Sequence, residues 1–231
     1  REELREYLNP IYDLERLISR ISYQSANPRD MVAFASSLEM IPYIRQILQE
    51  FEAPILKQIF EDMDPLEDVT DLIKRAITDE PPLAQKDGGI IREGYNADVD
   101  KYRHSRTDGK KWLAELEARE KERTGIKTLK IKYSRVFGYA LEVTNSFKDQ
   151  VPDNYVRKQT LTNAERYITQ ELKDLEDLIL GAEDRLYALE YELFADVRDK
   201  VGKEVVRIQK TAKAIAALDV FASLALVAER N

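Results

Sequence analysis

The sequence predicts a mainly α-helical protein in which two long antiparallel helices carry a small inserted antiparallel β-sheet at their tips. First, apolar residues recur at helical spacing over most of the 231 residues. Second, charged residues make up 34% of the chain, with only eight glycines and eight prolines, which favours helices over an all-β fold. Third, strand-like alternation is confined to Gly125–Thr169, between the two longest helical segments.

The first third of the chain is predicted to form short helices. Three Asn-Pro or Asp-Pro pairs each offer an N-cap side chain followed by proline at the first helical position: Asn9-Pro10, Asn27-Pro28 and Asp64-Pro65. Pro42 and Pro54 predict helix breaks near Ile41 and Ala53. The carboxylate-rich stretches 61–68 and 78–80 are interpreted as caps and solvated faces rather than as metal or acid–base sites.

Three longer helices are predicted after a loop over Asp79–Gly94, which the Pro-Pro and Gly-Gly pairs indicate. Tyr95–Arg123 has an apolar stripe that weakens at Arg106 and Gly109, which predicts exposure or loose packing there. The apolar residues of Glu171–Val201 alternate three and four apart, as in a coiled-coil seam. Glu204–Arg230 is apolar nearly all round, which predicts a helix buried among others.

Four short strands are predicted between the long helices, and they leave one face of the sheet available for something other than core. Their ranges are Thr128–Tyr133, Gly138–Val143, Tyr155–Leu161 and Glu165–Thr169, with 134–137 as the first hairpin connection. Strict alternation in the third strand places Arg157 and Gln159 on one side and Lys158 on the other.

The sheet segment differs in charge from the rest of the chain. Gly125–Thr169 contains eight Lys/Arg and four Asp/Glu, a net charge of +4, whereas the whole chain carries −7. The remainder therefore carries −11. A basic sheet in an acidic helical protein is typical of a surface that binds a polyanion, although a solvated sheet with ordinary surface lysines has the same composition.

Several classes of site are excluded by composition. There is no cysteine, so neither a disulfide nor a thiolate metal site is possible, which fits an intracellular protein. The single histidine, His104, has no second His or Cys with which to bind a metal. The most apolar run, Ala214–Ala228, is shorter than a membrane span and contains Asp219, so we expect a soluble protein without a membrane partner. The initial Arg1 suggests that a segment precedes it.

Long strings of the sequence resemble the bacterial MutS mismatch-repair ATPase family across essentially the whole chain. The strings are DEPPLAQKDGGIIREGYNADVD, GKKWLAELEARE, TGIKTLKIKYSRVFGYALEVTNS and VPDNYVRKQTLTNAERYITQELKDLE. The resemblance implies a core or lever helical domain at 1–119 and 170–231, interrupted by an inserted clamp domain at 120–169. In this family the clamp grips the DNA backbone without recognising sequence. Family members act as homodimers that close two clamps around double-stranded DNA in the bacterial cytoplasm, on the nucleoid.

Two motifs of the family are missing from this chain. There is no G-x-x-x-x-G-K-[ST] phosphate-binding loop, so the chain is not expected to be an enzyme or to bind a cofactor. ATP and magnesium are expected only in the ATPase domain, which we expect to lie beyond this segment of a longer protein. No phenylalanine begins the Phe-x-Glu motif of the mismatch-recognition domain. The segment is therefore expected to hold DNA and transmit motion without hydrolysis or mismatch discrimination.

The resemblance also implies which residues contact DNA. The segment that matches Y-x-R-[KR]-Q-T-L-x-N contributes Arg157, Lys158, Thr162 and Asn163, and the preceding loop contributes Ser146. Some relatives have lysine at the position of Thr162, whose hydroxyl can still donate to phosphate. The sequence leaves open whether the strand face that carries Lys130 and Lys132 meets DNA. No catalytic or metal-binding residue is predicted.

A second reading of the sequence is a structural or protein-interaction helical module with no direct DNA contact. The coiled-coil seam and the acidic helices would then engage partner helices. A hydrolase has no support, because no nucleophile–base constellation emerges from the sequence. DNA binding by the sheet is the property that separates the first two readings.

Overall fold

A computed structural model describes residues 2–11, 13–84 and 87–230, and the chain divides in it into two units. The helical unit comprises Arg1–Tyr95 and Leu189–Asn231, and the sheet unit comprises Asn96–Ala188. The sheet unit includes helical residues on both sides of the predicted clamp. The clamp boundaries, 120 and 169, stay a prediction.

The helical unit consists of short helices followed by longer ones, as the sequence predicts. Its first six helices are α1 (Glu2–Leu8), α2 (Leu14–Ser22), α3 (Pro28–Leu38), α4 (Ile41–Leu48), α5 (Pro54–Asp62) and α6 (Glu67–Ala76). The second part of α8 (Gln170–Gly202) and all of α9 (Val205–Arg230) complete it. Phe34, Ile41 and Ile44 are completely buried in its core.

The start of α3 confirms the clearest of the predicted caps. The Asn27 side chain accepts the Asp30 N–H at 2.8 Å, and the Asp30 carboxylate accepts the Asn27 N–H at 3.0 Å. This reciprocal capping box satisfies two amides that the first helical turn leaves unpaired. The predicted breaks are also confirmed, because α4 begins at Ile41 and α5 begins at Pro54.

The other two predicted caps are wrong. Asn9 lies in a 3-10 helix, Asn9–Ile11, that follows α1 directly, so it does not begin a new α-helix. The Asp64 carboxylate accepts the Leu66 N–H at 2.9 Å, which closes a turn, and Leu66 then adopts a left-handed conformation with φ 52°. Helix α6 therefore begins only at Glu67, because Asp side chains favour such local turns as well as caps.

The predicted loop over Asp79–Gly94 is confirmed in the residues that the structure describes. Its far end pairs with the end of α6, through an isolated antiparallel bridge between Ile77 and Ile91. The fully buried Glu190 carboxylate accepts the Gly89 N–H at 2.9 Å and the Ile91 N–H at 3.1 Å. These bonds supply the loop amides with partners that a strand neighbour would otherwise provide.

The sheet unit contains a four-stranded antiparallel sheet between two helices. Helix α7 (Ala97–Thr124) is followed by its C-cap residue Gly125, which has φ 70°, and α8 follows the last strand. The strands are β1 (Lys130–Ser134), β2 (Gly138–Thr144), β3 (Val156–Thr160) and β4 (Ala164–Ile168), in the order β1-β2-β4-β3. A 3-10 helix, Asn145–Gln150, follows β2. The four predicted strands are confirmed within two residues.

Contacts between α7 and α8 show that the two helices are antiparallel within the sheet unit. Arg119 pairs with Glu171 near the sheet, Gly109 approaches Ile179, and Arg106 lies 3.8 Å from Glu183. The predicted loose packing at Gly109 is wrong. Gly109 is buried, and a Cβ atom there would lie 2.6 Å from Cγ1 of Ile179, so the absence of a side chain is what lets the helices approach.

One face of the sheet packs on the ends of α7 and α8, which confirms the predicted use of a single face for core. The buried cluster consists of Leu116, Ile126, Leu129, Leu141, Val143, Tyr155, Tyr167 and Leu172. Residues that alternate with these along the strands, including Lys130, Lys132 and Arg166, form the other face, which we call the open face.

Helix α9 is less buried than the sequence predicts. It packs on α1, α2 and α5, but Val206, Val220, Leu224 and Val227 are each more than half exposed. By length and composition alone, Val205–Ala228 would suffice to cross a membrane, although 28% of its most apolar stretch is buried against the protein. The apolar run 214–228, on which the sequence prediction rests, is too short to span a membrane. The helix, however, begins nine residues earlier, at Val205.

Candidate nucleic-acid interface

Carboxylates on the helices fix the sheet in place. Glu117 on α7 accepts the Ile131 N–H at 2.9 Å, and Glu176 on α8 accepts the Tyr139 N–H at 2.9 Å. Both amides lie where the ladder between strands does not use them. Gly138 makes the second contact possible, because it has φ 73° and a Cβ atom there would lie 1.7 Å from the Glu176 carboxylate.

A third carboxylate, Glu120, lies in the core of the sheet unit. It is 6% exposed, accepts the Tyr155 hydroxyl at 2.6 Å and pairs with Arg123 at 2.8 Å. Burial alone would raise the pKa of Glu120, but the bonds from Arg123 and Tyr155 outweigh it and lower that pKa. Burial and the same carboxylate raise the pKa of Tyr155. The sheet is thus held to α7 by an ionised group.

Lys158 occupies a β-bulge in the edge strand β3. Arg157 is paired with Tyr167 and Gln159 with the adjacent Arg166, so Lys158 is the extra residue between them. The predicted placement of Arg157 and Gln159 on one face is therefore wrong, since the bulge puts them on opposite faces. Lys158 is exposed. Within the described part of the chain its ammonium group has no hydrogen bond or ion pair.

Arg157 projects beside a carboxylate of the neighbouring strand. Its guanidinium lies 3.7 Å from Oε1 of Glu165, and 63% of its side chain is exposed. The Tyr167 hydroxyl donates to Oε2 of Glu165 at 2.5 Å. Burial, together with this hydrogen bond, raises the pKa of Tyr167 to about 12. The Arg157 guanidinium is therefore exposed and lies beside the Glu165 carboxylate, which the Tyr167 hydroxyl holds in place.

Two loops bring the remaining predicted residues together at one end of the sheet. Asn145 donates from its backbone N–H to the Asn163 carbonyl at 3.1 Å, and from Nδ2 to the Thr162 carbonyl at 3.2 Å. Ser146 follows directly, with its hydroxyl 3.1 Å from that of Thr144. The side chains of Ser146, Thr162 and Asn163 are exposed. Three exposed side chains that can form hydrogen bonds thus lie on adjoining segments of the chain.

The five predicted residues form two groups, one within β3 and one at its end, where the 3-10 helix after β2 meets the turn after β3. Arg157 and Lys158 lie within the strand, whereas Thr162, Asn163 and Ser146 lie at its end. At about 3.3 Å per residue, Lys158 and Thr162 are separated by at most about 13 Å. Whether these residues contact DNA stays a prediction.

The sheet segment exposes many cations without partners. Of its eight basic residues, Arg157 pairs with Glu165 and Arg166 pairs with Glu142 at 2.9 Å. The other six are all exposed and form no ion pair among the described residues: Lys127, Lys130, Lys132, Arg135, Lys148 and Lys158. They lie on both edge strands and in the connections.

The sequence did not identify Asn145 or Glu165 as part of the interface. Asn145 follows a strand, a position where Asn commonly marks a turn, but its two partners lie 17 and 18 residues further along the chain. Glu165 has no sequence signal, because its contact with Arg157 depends on strand register. Among the described residues no group of three or more His, Cys, Asp or Glu side chains could hold a metal ion.

Comparison with known proteins identifies the family. A family model described as MutS family domain IV matches residues 94–185. A DNA mismatch repair protein MutS from Lachnoclostridium phytofermentans is 65% identical over all 231 residues, which span 25% of that relative. The corresponding proteins of Caldanaerobacter subterraneus subsp. tengcongensis and Acetivibrio thermocellus are 55% and 51% identical over the whole chain, which spans 27% of each.

The chain thus spans about a quarter of the length of the curated relatives that it matches. The family match covers both long helical segments of the sheet unit and all four strands. The identity to full-length relatives extends through the helical unit as well. The chain is thus homologous over its whole length to MutS proteins, and its residues 94–185 match domain IV of that family.

Proposed function

We propose that the sheet unit binds the phosphate backbone of duplex DNA without recognising sequence, and that the long helices act as levers of a MutS-type mismatch-repair protein. The single observation that carries this proposal is the set of six exposed cations, on a segment of net charge +4, that form no ion pair with any residue the structure describes. Such a surface attracts a polyanion, whereas the rest of the chain, at −11, repels one.

The chemistry of the predicted contact residues supports binding to phosphate rather than to bases. Lys158 offers an ammonium group and Arg157 a guanidinium, while Ser146, Thr162 and Asn163 offer short donors on exposed loops. Such side chains, when they contact phosphate and sugar, position a protein on DNA and carry no direct sequence information. We therefore propose that the affinity for DNA is weak and independent of sequence.

Helices α7 and α8 suit a lever role by their length and pairing. They contain 28 and 33 residues, which at about 1.5 Å per residue correspond to roughly 42 and 50 Å. Their antiparallel contacts, and the carboxylates of Glu117, Glu120 and Glu176 on the sheet, would make the helix ends and the sheet move together.

Functions of the whole protein are proposed for the longer chain to which this segment corresponds. The ATPase region of the family is not in this chain. We propose that the whole protein binds ATP and magnesium there, recognises mismatches elsewhere, and acts as a cytoplasmic homodimer whose two sheet units surround one duplex. The name of the relatives, DNA mismatch repair protein, supports the process.

A protein-interaction role without DNA contact is favoured by one feature of the sheet unit. A groove of about 380 Å³ between α7 and α8 is lined by four apolar and four charged residues: Trp112, Leu116, Leu175, Leu178, Glu115, Arg119, Glu171 and Asp174. Trp112 and Leu178 are exposed. It would accommodate a segment of another protein that carries both apolar and charged side chains. This role does not explain the unpaired cations of the sheet.

The test is a titration of the 231-residue chain with a fluorescent duplex at several salt concentrations. With about two to four phosphate contacts, log K should fall with log salt at a slope of about −2 to −4. A mismatched duplex should bind no more tightly than a paired one. A salt-independent affinity, or no binding at low salt, would favour the protein-interaction role. A preference for the mismatch would contradict recognition elsewhere.

A further inference from the structure

We propose that Glu165 is a positioning residue for DNA binding, which holds the Arg157 guanidinium in the orientation that contacts a phosphate. The inference rests on the proposed function, since it assigns a role within the same surface. It concerns an acidic residue on a surface that attracts an anion, where charge alone would predict that Glu165 only weakens binding.

The contacts of Glu165 divide between its two oxygens. Oε1 lies 3.7 Å from the Arg157 guanidinium, and Oε2 accepts the Tyr167 hydroxyl at 2.5 Å. The Glu165 side chain is 15% exposed, whereas that of Arg157 is 63% exposed. One oxygen of the carboxylate is thus held by a tyrosine, and the other faces an exposed guanidinium.

The tyrosine that fixes Glu165 is itself held in the core. Tyr167 is 7% exposed, and its ring lies 5.9 Å from the ring of Tyr155, whose hydroxyl donates to Glu120. A hydrogen bond to a buried, packed hydroxyl leaves the Glu165 carboxylate little freedom. Glu165 is therefore a carboxylate held in a fixed position beside Arg157.

An arginine beside a fixed carboxylate can bind phosphate at a lower entropic cost than an arginine without such a neighbour. A free Arg side chain has many rotamers, and ordering it on binding reduces affinity. The guanidinium has five N–H donors, so contact with Glu165 leaves several of them to bind a phosphate oxygen. The same carboxylate also repels the phosphate, so positioning and repulsion change affinity in opposite directions, and their net effect can be measured.

The experiment is a double-mutant cycle on duplex affinity in the 231-residue chain at low salt. Glu165→Gln keeps the size of the side chain and an oxygen that can accept from Tyr167, but removes the charge that holds Arg157. We expect it to weaken binding about threefold to tenfold, although it makes the chain more positive. In an Arg157→Ala background the same substitution should cause no further loss.

Glu142→Gln is the matched control. It makes the same change in net charge, in an ion-paired glutamate of the same sheet, but on the open face and beside Arg166. If net charge alone determines the affinity for DNA, Glu165→Gln and Glu142→Gln should both bind DNA more tightly than the unaltered chain. Tighter binding by Glu165→Gln, or an equal loss with and without Arg157, would overturn the inference.

One further variant, together with binding by the unaltered chain, keeps the outcomes distinct. Tyr167→Phe removes the hydroxyl that fixes Glu165 and keeps the ring, so it should weaken binding in the same direction only when Arg157 is present. This variant replaces Glu165→Gln in the cycle if circular dichroism shows that the latter is unfolded. No binding by the unaltered chain overturns the proposed function, whereas intact binding with additive effects overturns the positioning role alone.

Discussion

A Cβ atom on Gly109 of α7 would lie 2.6 Å from Cγ1 of Ile179 on α8, and Ile179 is itself buried. Real Cβ atoms do not approach other atoms this closely, so any side chain at position 109 must push the two helices apart or distort Ile179. The glycine carries a cost in helix propensity of about 1 kcal/mol relative to alanine, which the close helix contact offsets.

Gly109→Ala should therefore destabilise the sheet unit despite the gain in helix propensity. Overpacking a core typically costs about 1–3 kcal/mol, so we expect a net loss in the free energy of unfolding of about 1 kcal/mol. Urea denaturation followed by circular dichroism measures it. The matched control is Gly181→Ala on α8, where a Cβ atom meets no described atom within 4 Å and should stabilise by about 0.5–1 kcal/mol. Equal effects of the two substitutions would contradict the close contact.

Glu120→Gln should destabilise the chain at neutral pH and make its stability less sensitive to acid. The folded-state pKa of Glu120 lies below its usual 4.5, so the unfolded chain takes up this proton first as pH falls. The stabilisation is therefore complete above about pH 5 and is lost as pH falls below 4.5 through the folded-state pKa. Hydrogen bonds to a charged group stabilise the folded state by about 1.5–3 kcal/mol. Because Arg123 is partly exposed and solvent screens its charge, we expect a loss of about 1–2 kcal/mol for Glu120→Gln.

Unfolding free energies at pH 7, 5 and 4 check this expectation. The difference between the unaltered chain and Glu120→Gln should shrink as the pH falls, because protonated Glu120 resembles glutamine. Glu122→Gln, at an exposed position two residues further along α7, should show little difference at any pH. A difference at position 120 that does not depend on pH would mean that packing rather than charge is responsible.

Lys158→Glu should weaken DNA binding without changing the fold. Lys158 is exposed in the bulge of an edge strand, so the substitution places a like charge against phosphate and removes no packing contact. We expect the salt slope of binding to become shallower by about 1, with unchanged helical signal and melting temperature. Lys173→Glu, an exposed charge reversal on α8 outside the sheet, controls for net charge. Equal losses in the two variants would remove Lys158 from the site.

Replacing Gly125–Ile168 with a short Gly/Ser linker should leave a soluble and highly helical protein. The Arg119–Glu171 pair shows that the chain leaves and re-enters the helices at neighbouring points, so a short linker can join them. The tips should fray, because Leu116 and Leu172 lose the sheet against which they pack. DNA binding should disappear, and the net charge should move from −7 to −11. An aggregated or molten product would show that the sheet is needed for the helical core.

The sequence was sufficient for the features that depend on local pattern. Alternation places the four strands, and the Asn27–Pro28 pair places a helix start, because both signals lie within a few residues. The bulge at Lys158 could not be predicted, since the third strand has neither a glycine nor apolar residues on one side that would reveal the shift in register. Gly109 was misjudged for a related reason. Its partner, Ile179, lies 70 residues away, and a glycine in a helix gives no sign of what approaches it.

The candidate site was predictable only in part. Residues 157–163 are contiguous and match a family motif, so the sequence alone selects them. Their neighbours Asn145 and Glu165 become relevant through hydrogen bonds between separate strands and loops, which depend on register. Burial of α9 was overestimated because composition shows that a helix can be buried, not which neighbours surround it.

The Glu117–Ile131 bond also limits what can assemble on this sheet. β1 is an edge strand, and its outward N–H at Ile131 is occupied by a side chain of the same molecule. At the opposite edge, the extra residue in β3 breaks the regular spacing that a fifth strand would need. An edge with free, evenly spaced donors would recruit strands from neighbouring molecules. One edge is thus bonded at Ile131 and the other is interrupted at Lys158, which disfavours the addition of a fifth strand. Two copies bound side by side on one DNA duplex would therefore be hindered from pairing their sheets into a fibril.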